Sequence, residues 1–292
     1  MSELAISPTK ADYVAQESST RVKSSTVLYY AFLIVLALIV VVPIFVMFLT
    51  SLKYQVDILS SKFQWIFTPT LANYEKIFTQ YNFARYLVNS VLVGLGSTLV
   101  TLLAAGMAAY ALTRMRFPGR GLMAQTTLIV RMVPPAVLAV PIFALWGQWG
   151  LEDGRIGLIL FYTALNLPFA IWVLIGFIKQ IPVELEEAAI VDGANPYQVF
   201  FQILLPLMRG GIAVAGIFAF RIAWNEFILA LILTDRFTRT LPVQTTLFLT
   251  EQGVEWGLVT AMGSILVIPP LIITFIAARQ IIAGLTAGAV KG

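Results

Sequence analysis

The chain alternates long apolar runs with short polar segments, and six of those runs are long enough to cross a bilayer. A hydrocarbon core about 30 Å thick needs roughly 20 residues of helix. Val27–Leu49, Val88–Thr113, Gly121–Gln148, Ile156–Ile178, Gly210–Thr234 and Gly257–Ala278 meet that length. The pattern predicts an all-α membrane protein of six transmembrane helices, with both termini on one side. Val27–Leu49 carries no charge and is too long for the core of a cleaved leader, so it reads as a retained span. The polar stretch 1–26 before it reads as a disordered tail, 27–283 as the transmembrane domain, and 284–292 as a Gly/Ala-rich, flexible C-terminal tail.

Several spans carry residues that lipid does not tolerate. Gly121–Gln148 is interrupted by Arg131, Pro134, Pro135 and Pro141, and Gly210–Thr234 contains Arg221 and Glu226. Charges at membrane depth face a bundle interior, a cavity or a partner charge. Arg221 and Asn225 are four apart and share a helix face; Arg221 and Glu226 are five apart and diverge. Two readings stay open for Asn225 and Glu226: a translocation path or partner contact, or a structural polar clamp. Prolines 43, 134, 135, 141, 168, 269 and 270 fall inside spans and free carbonyls that neighbours must satisfy. Asn166-Leu-Pro168 and Pro269-Pro270 are the candidate path-lining kinks. In the second span Gly94, Gly96 and Gly106 offer small surfaces for close helix contact.

Charge sets an orientation. Arg114-Met-Arg-Phe-Pro-Gly-Arg120 holds three arginines in seven residues, and Arg21 and Lys23 precede the first span, which places both on the cytoplasmic side. Loop 50–87 then lies outside. Its Tyr74, Ile77, Phe78 and Tyr81 recur at helical spacing, predicting a helix over Leu71–Tyr81. The aromatics of this loop form either a belt at the headgroups or a ligand platform.

Composition narrows the function. Of 292 residues 59% are hydrophobic and 12% charged, against about 25% charged in soluble domains. The chain has no cysteine and no histidine, which excludes disulfides, thiolate chemistry, zinc sites and histidine acid/base catalysis. No phosphate-binding loop of the form G-x-x-x-x-G-K-[ST] and no nucleophile elbow is present, so the chain reads as no enzyme. A net charge of +4, spread along the chain, gives no case for nucleic acid.

One segment is built unlike the rest. Between the fourth and fifth spans, within 179–209, runs Glu184-Leu-Glu-Glu-Ala-Ala-Ile-Val-Asp-Gly193-Ala-Asn-Pro-Tyr-Gln198 and on to Ile203-Leu-Leu-Pro206. Pro182 suits a first helical position. Glu184, Glu186 and Glu187 crowd the positive end of a helix dipole. Ala188 and Ala189 extend the helix with a shallow face, and Gly193 closes it in a left-handed turn. Asn195, Pro196 and Gln198 have the spacing of a capping box that starts a second helix. A helix lying on headgroups fits poorly, because no Lys or Arg occurs between Lys179 and Arg209 to attract anionic lipid.

Glu187-Ala-Ala, Gly193 and Ile203-x-Leu-Pro206, in that spacing, resemble the EAA loop of permease subunits of ATP-binding-cassette importers. Asn73-Tyr74, Asn89-Ser90, Arg131-Met-Val-Pro-Pro135, Trp224-Asn-Glu-Phe227, Arg239-Thr-Leu-Pro242 and Gly284–Gly292 are similar to the carbohydrate-importer class of the maltose-permease G type. The resemblance runs from about residue 27 to the end. It implies a type I importer fold with a cytoplasmic helix-turn-helix coupling loop between helices 4 and 5, in a bacterial plasma (inner) membrane. Glu186, Glu187, Ala188, Ala189, Asp192, Gly193, Ile203 and Pro206 would then couple to a cytoplasmic ATPase. The implied partners are a second, homologous permease, two copies of that ATPase, an extracytoplasmic sugar-binding protein and the lipid membrane. The resemblance assigns this chain no cofactor, ATP and magnesium binding to the ATPase subunits. The cargo would be a sugar, oligosaccharide or polyol, carried by alternating access. A polyol is held by amides, hydroxyls and aromatic faces, and Asn166, Trp224, Asn225 and Glu226 are the candidate path residues. Arg221 lies outside the family pattern. The C-terminal tail reaches the ATPase or is an ordinary frayed end. An ion-gradient-driven secondary transporter, with Arg221 and Glu226 as coupling charges, is the alternative reading.

Overall fold

The computed structural model describes residues 24–149, 154–250 and 253–289. The predicted N-terminal tail thus falls almost wholly outside the described residues, as do 290–292. The chain divides into two units after Met47. The first unit is a helix segment of α1 (Ser24–Ser51), uncharged and apolar on all sides, with Pro43 inside. A helix apolar all round is suited to lipid.

The second unit begins at Phe48 and is almost entirely helical. Its order is α2 (Gln55–Ile58), α3 (Ala72–Gln80), α4 (Phe83–Arg114), α5 (Arg120–Val130), α6 (Pro135–Trp149) and α7 (Gly154–Ile178). Then follow α8 (Glu184–Val191), α9 (Pro196–Leu207), α10 (Arg209–Asn225), α11 (Ile228–Leu233), α12 (Leu241–Thr246) and α13 (Trp256–Ala289). A two-residue hairpin, β1 (Leu249–Thr250) with β2 (Gly253–Val254), precedes α13. Among the described residues four helices are long and apolar enough to span a membrane: Thr26–Ser51, Phe83–Arg114, Gly154–Ile178 and Trp256–Ile276. Two bent pairs bring the total to six if each counts as one span.

The first bend has a local cause. Helices α5 and α6 meet at 99° around Arg131–Pro134. Pro134 and Pro135 lack the N–H groups that would continue the helix, and each disfavours helical backbone in the residue before it. Helices α9 and α10 meet at 80° at Met208. The fifth apolar run, expected to be continuous, breaks at Glu226–Phe227, with Glu226 extended (φ −68°, ψ 135°). No proline or glycine marks that break. Its cause is the Glu226 carboxylate, described below. At the other end α13 continues to Ala289, through most of the segment read as a tail.

Helix α4 lies against α7 and α10, and α10 also packs on α7 and α13. The glycines of α4 make this possible. A Cβ at Gly94 would meet the Phe220 ring at 3.1 Å, at Gly96 the Ile159 side chain at 3.1 Å, and at Gly106 the Phe200 ring at 3.2 Å. Apolar burial then accumulates in three clusters. One is built on Phe83, Phe220, Trp224 and Phe248, another on Leu158, Tyr162 and Leu229, and a third on Ala105, Leu174, Ile178 and Leu204.

Polar residues that stood out singly in the sequence prove to be mutual partners. Asn89 Nδ2 donates to the carbonyls of Phe237 and Arg239, both at 2.9 Å. Ser90 Oγ accepts from Leu241 N at 2.8 Å. The Asn-Ser pair in α4 therefore holds the Arg239–Pro242 turn. Asn73 Nδ2 donates to the carbonyls of Ser51 and Lys53, and the Tyr74 and Ser51 hydroxyls are 2.8 Å apart. Trp224 Nε1 donates to the Leu266 carbonyl at 3.0 Å. That carbonyl lies four residues before Pro270, which has no N–H to give it.

Loop 50–87 is a packed structure. Helix α3 occupies the predicted 71–81 region, with Ile77 buried and Tyr74 and Tyr81 on the core. Tyr81 meets Phe248 edge-on at 4.9 Å. Lys53, only 2% exposed, places its ammonium 3.7 Å from the Phe63 ring centre and donates to the Gln64 carbonyl. Burial lowers its pKa from the ordinary lysine value, against the pull of Asp57. Trp65 and Phe78 remain exposed. The aromatics thus divide between core and surface instead of forming one belt.

Candidate functional site: the acidic loop and its anchor

The loop between α7 and α10 forms in the way its residues dictate. Helix α8 begins at Glu184, two residues after Pro182, with Glu184, Glu186 and Glu187 in its first turn. Gly193 adopts φ +90°, which a β-carbon would strain. Gly193 N donates to the Ile190 carbonyl and Ala194 N to the Ala189 carbonyl, at 3.0 and 2.9 Å. These two bonds are a Schellman closure of the helix. The chain restarts at Asn195, whose side chain accepts from Gln198 N at 3.0 Å while Gln198 Oε1 accepts from Asn195 N at 2.8 Å. Val199–Leu204 then winds as a π-helix, with Val199, Phe200 and Leu204 buried.

What fixes this hairpin to the bundle is Arg114, the last residue of α4. Its Nε lies 2.6 Å from Glu186 Oε1, and both side chains are largely buried. Its Nη2 donates to the carbonyls of Ile181 at 2.7 Å and Ile178 at 3.2 Å. One guanidinium therefore ties together the end of α4, the Ile178 and Ile181 carbonyls at and just after the end of α7, and the first turn of α8. Charge patterning had placed Arg114 only as part of a topology signal. The pairing is 72 residues apart in sequence and has no local signature.

The predicted loop residues separate by this anchor. Glu186 is 4% exposed and faces inward, so it holds the helix and does not offer itself to a partner. Glu187, Ala188, Asp192 and Gly193 are exposed, and Ala189 partly so. Ile203 is half-buried in the π turn and Pro206 is exposed. Val191, not singled out by sequence, is 87% exposed beside Gly193. The presented surface is thus a small-residue and apolar patch edged by Glu184, Glu187 and Asp192.

The candidate path residues fare differently. Asn166 is 3% exposed and donates within its own helix to the Tyr162 carbonyl. Trp224 is 1% exposed and stacked on Phe220 at 5.3 Å. Both are core residues: the Asn166 amide nitrogen and the Trp224 indole nitrogen donate to backbone carbonyls inside the chain. Glu226 accepts from the Tyr162 hydroxyl at 2.6 Å and from the N–H groups of Leu229 and Ala230 at 3.0–3.2 Å. It caps α11 and lies at the break in the fifth run. Asn225 is exposed and donates to the Arg221 carbonyl. Among the described residues no group of three metal-ligating side chains occurs.

Residues 97–286 match the family described as the binding-protein-dependent transport system inner membrane component. The chain belongs to that family. This permease is 40% identical over 228 residues to the trehalose transport system permease protein SugB of Mycobacterium tuberculosis, covering 77% of this chain and 83% of the relative. It is 36% identical over 245 residues to the sulfoquinovosyl glycerol transport system permease protein SmoH of Agrobacterium fabrum, covering 83% and 86%. Its fold matches a chain of a bacterial ABC transporter involved in the import of the acidic polysaccharide alginate, with TM-score 0.74 over 95% of this chain and 99% of that one, at 19% identity. The permease is an ABC importer subunit, and the ion-coupled alternative is set aside. The carboxylate that alternative required, Glu226, is already committed to the α11 cap.

Proposed function

We propose that this permease carries a saccharide or polyol across a bacterial inner membrane as one of two non-identical permease subunits. Two copies of a cytoplasmic ATPase and an external sugar-binding protein complete the machine. The sugar class rests on the trehalose and sulfoquinovosyl glycerol relatives. Both termini and the Glu184–Pro206 loop face the cytoplasm in this reading, as the arginines of 114–120 favour. ATP and magnesium bind the ATPase subunits, and this chain contributes movement without a catalytic step.

The observation that carries the coupling role is the exposed α8 patch held by Arg114. A docked partner that pushes α8 moves the ends of α4 and α7 with it, because one guanidinium joins all three. Small residues at Ala188 and Ala189 let a partner surface approach closely, and the acidic edge favours a basic cleft. Gly193→Asp tests this. The site has open space, so the cost is local strain of a left-handed residue, about 1 kcal/mol, and one added charge. The variant is expected to reach the membrane and bind the second permease, while losing transport and substrate-stimulated ATP hydrolysis. Normal uptake by this variant would remove α8 from the coupling role.

A further inference from the structure

The two arginines inside the apolar runs have no carboxylate partner among the described residues, where the ion pairs are Lys76–Glu255 and Arg114–Glu186. They are Arg131, at the α5–α6 bend, and Arg221, in α10; both are exposed. Aromatic rings connect them. The Arg131 guanidinium lies 4.3 Å from the Phe169 ring centre, Phe169 meets Phe218 edge-on at 5.1 Å, and Arg221 lies 5.8 Å from Phe218. Trp172 stacks beside Phe169 at 6.2 Å.

Their depth follows from helix rise. Arg131 is eleven residues from Arg120, Arg221 twelve from Arg209, and Phe169 nine from Ile178. At 1.5 Å per residue these are about 14–18 Å from the end of the bundle that carries the acidic loop. That is about half of a 30 Å hydrocarbon core. Two exposed guanidinium groups at that depth do not face lipid; they face water, a ligand or another subunit. Below the aromatic cluster a groove of about 490 Å³ runs between α7 and α10, from Phe169, Trp172 and Phe218 to Lys179 at the loop end. Its volume falls in the range of small-molecule sites. No Asp or Glu lines it.

We propose that this face is a stretch of the substrate path built for an acidic saccharide, a sugar bearing carboxylate or another anionic group. Phe169, Phe218 and Trp172 stack against the apolar faces of sugar rings. Arg131 and Arg221 bind the acidic group, and Lys179 receives it at the far mouth. The groove wall between them is apolar, so the cargo is held at its two charged ends and slides between. Conduction requires such binding, favourable enough to enter and weak enough to leave. This inference rests on the saccharide-importer reading and refines it.

The experiment uses the complete transporter, with its second permease, ATPase and binding protein, in proteoliposomes. The probes are a hexuronic acid disaccharide, its neutral methyl ester and the corresponding neutral hexose disaccharide. ATP-driven uptake of the uronate over the two neutral probes is expected. Arg131→Gln and Arg221→Gln should each lower uronate uptake about 10-fold or more, the effect of losing one charge-assisted hydrogen bond. Arg131→Lys and Arg221→Lys should restore most of it. Co-purification of the subunits, measured for every variant, separates a path role from a contact with the second permease. ATP-driven uptake of a neutral probe that the glutamine variants leave intact overturns the acidic-saccharide proposal alone. Glutamine variants that release the second permease overturn it too, assigning the arginines to the subunit interface. Absence of ATP-driven uptake of all three probes overturns the saccharide reading together with it.

Discussion

Replacing Arg114 with alanine removes three hydrogen bonds and one charge from a nearly dry site. Glu186, 6% exposed at its side chain, is left as a buried carboxylate facing no cation, and the Ile178 and Ile181 carbonyls lose their side-chain donor. Breaking a buried pair from one side costs about 3–5 kcal/mol, most of it the uncompensated charge. Helix α8 is eight residues long and too short to hold its place alone. The relaxed response is for α8 to swing out and hydrate Glu186. A loss of about 3 kcal/mol lowers the anchored population relative to the detached one by roughly 100-fold. The subunit should therefore still insert and assemble, while substrate-stimulated ATP hydrolysis falls toward its basal rate. Hydrogen exchange over Glu184–Val191 should rise by a similar factor. The double variant Arg114→Met with Glu186→Leu tests the mechanism, because it removes both charges. It should recover protection of α8 that Arg114→Ala loses. If Arg114→Ala leaves both exchange and coupling as in the unmodified protein, the anchor reasoning fails. If the double variant is no better than the single one, the cost does not come from the stranded carboxylate.

Two further outcomes follow from contacts elsewhere. Glu226→Ala removes the cap of α11 and the partner of the Tyr162 hydroxyl, and should cost about 2–4 kcal/mol by thermal unfolding in detergent, with Glu226→Gln retaining more stability; an unchanged melting temperature in the alanine variant would show the break is held by other contacts. The Lys76–Glu255 pair, 2.8 Å long and over a third exposed on both sides, joins α3 to the start of α13. Its hydrogen bond to Glu255 raises the Lys76 pKa, so the contribution is complete below the unfolded lysine value and is lost as pH rises through the higher folded value. Screening limits it to about 0.2–1 kcal/mol. Unfolding of Lys76→Met against the unmodified protein should show a small difference at neutral pH that vanishes above the lysine range, and a difference that grows with alkalinity would contradict this.

Much of the candidate site was written locally. Gly193, Asn195, Pro196 and Gln198 act on neighbours within five residues, so their left-handed turn and capping box followed from spacing alone. The presented and anchoring sides of α8 did not. Glu186 and Glu187 are adjacent carboxylates, and nothing in the sequence says that the first turns inward to Arg114 while the second faces out. The same holds for Trp224 and Asn166. Polar atoms inside a span read as path residues until their partners are known, and those partners, the Leu266 and Tyr162 carbonyls, are backbone groups.

Legible in the sequence alone were the membrane class, the positions of the apolar runs, the prolines that interrupt the third of them and the capped acidic loop. All are set by hydropathy, ring closure at proline and side chains reaching their own backbone, which act over a few residues. The folded chain was needed to show that Arg114 joins three helix ends, that Glu226 at the break of the fifth run meets Tyr162, and that Arg131 and Arg221 flank one aromatic cluster. The Arg114 contacts reach 64 to 72 positions along the chain, Glu226 meets the Tyr162 hydroxyl 64 positions away and Arg131 meets Phe169 38 positions away, and a long-range partner leaves no mark on the residues beside it.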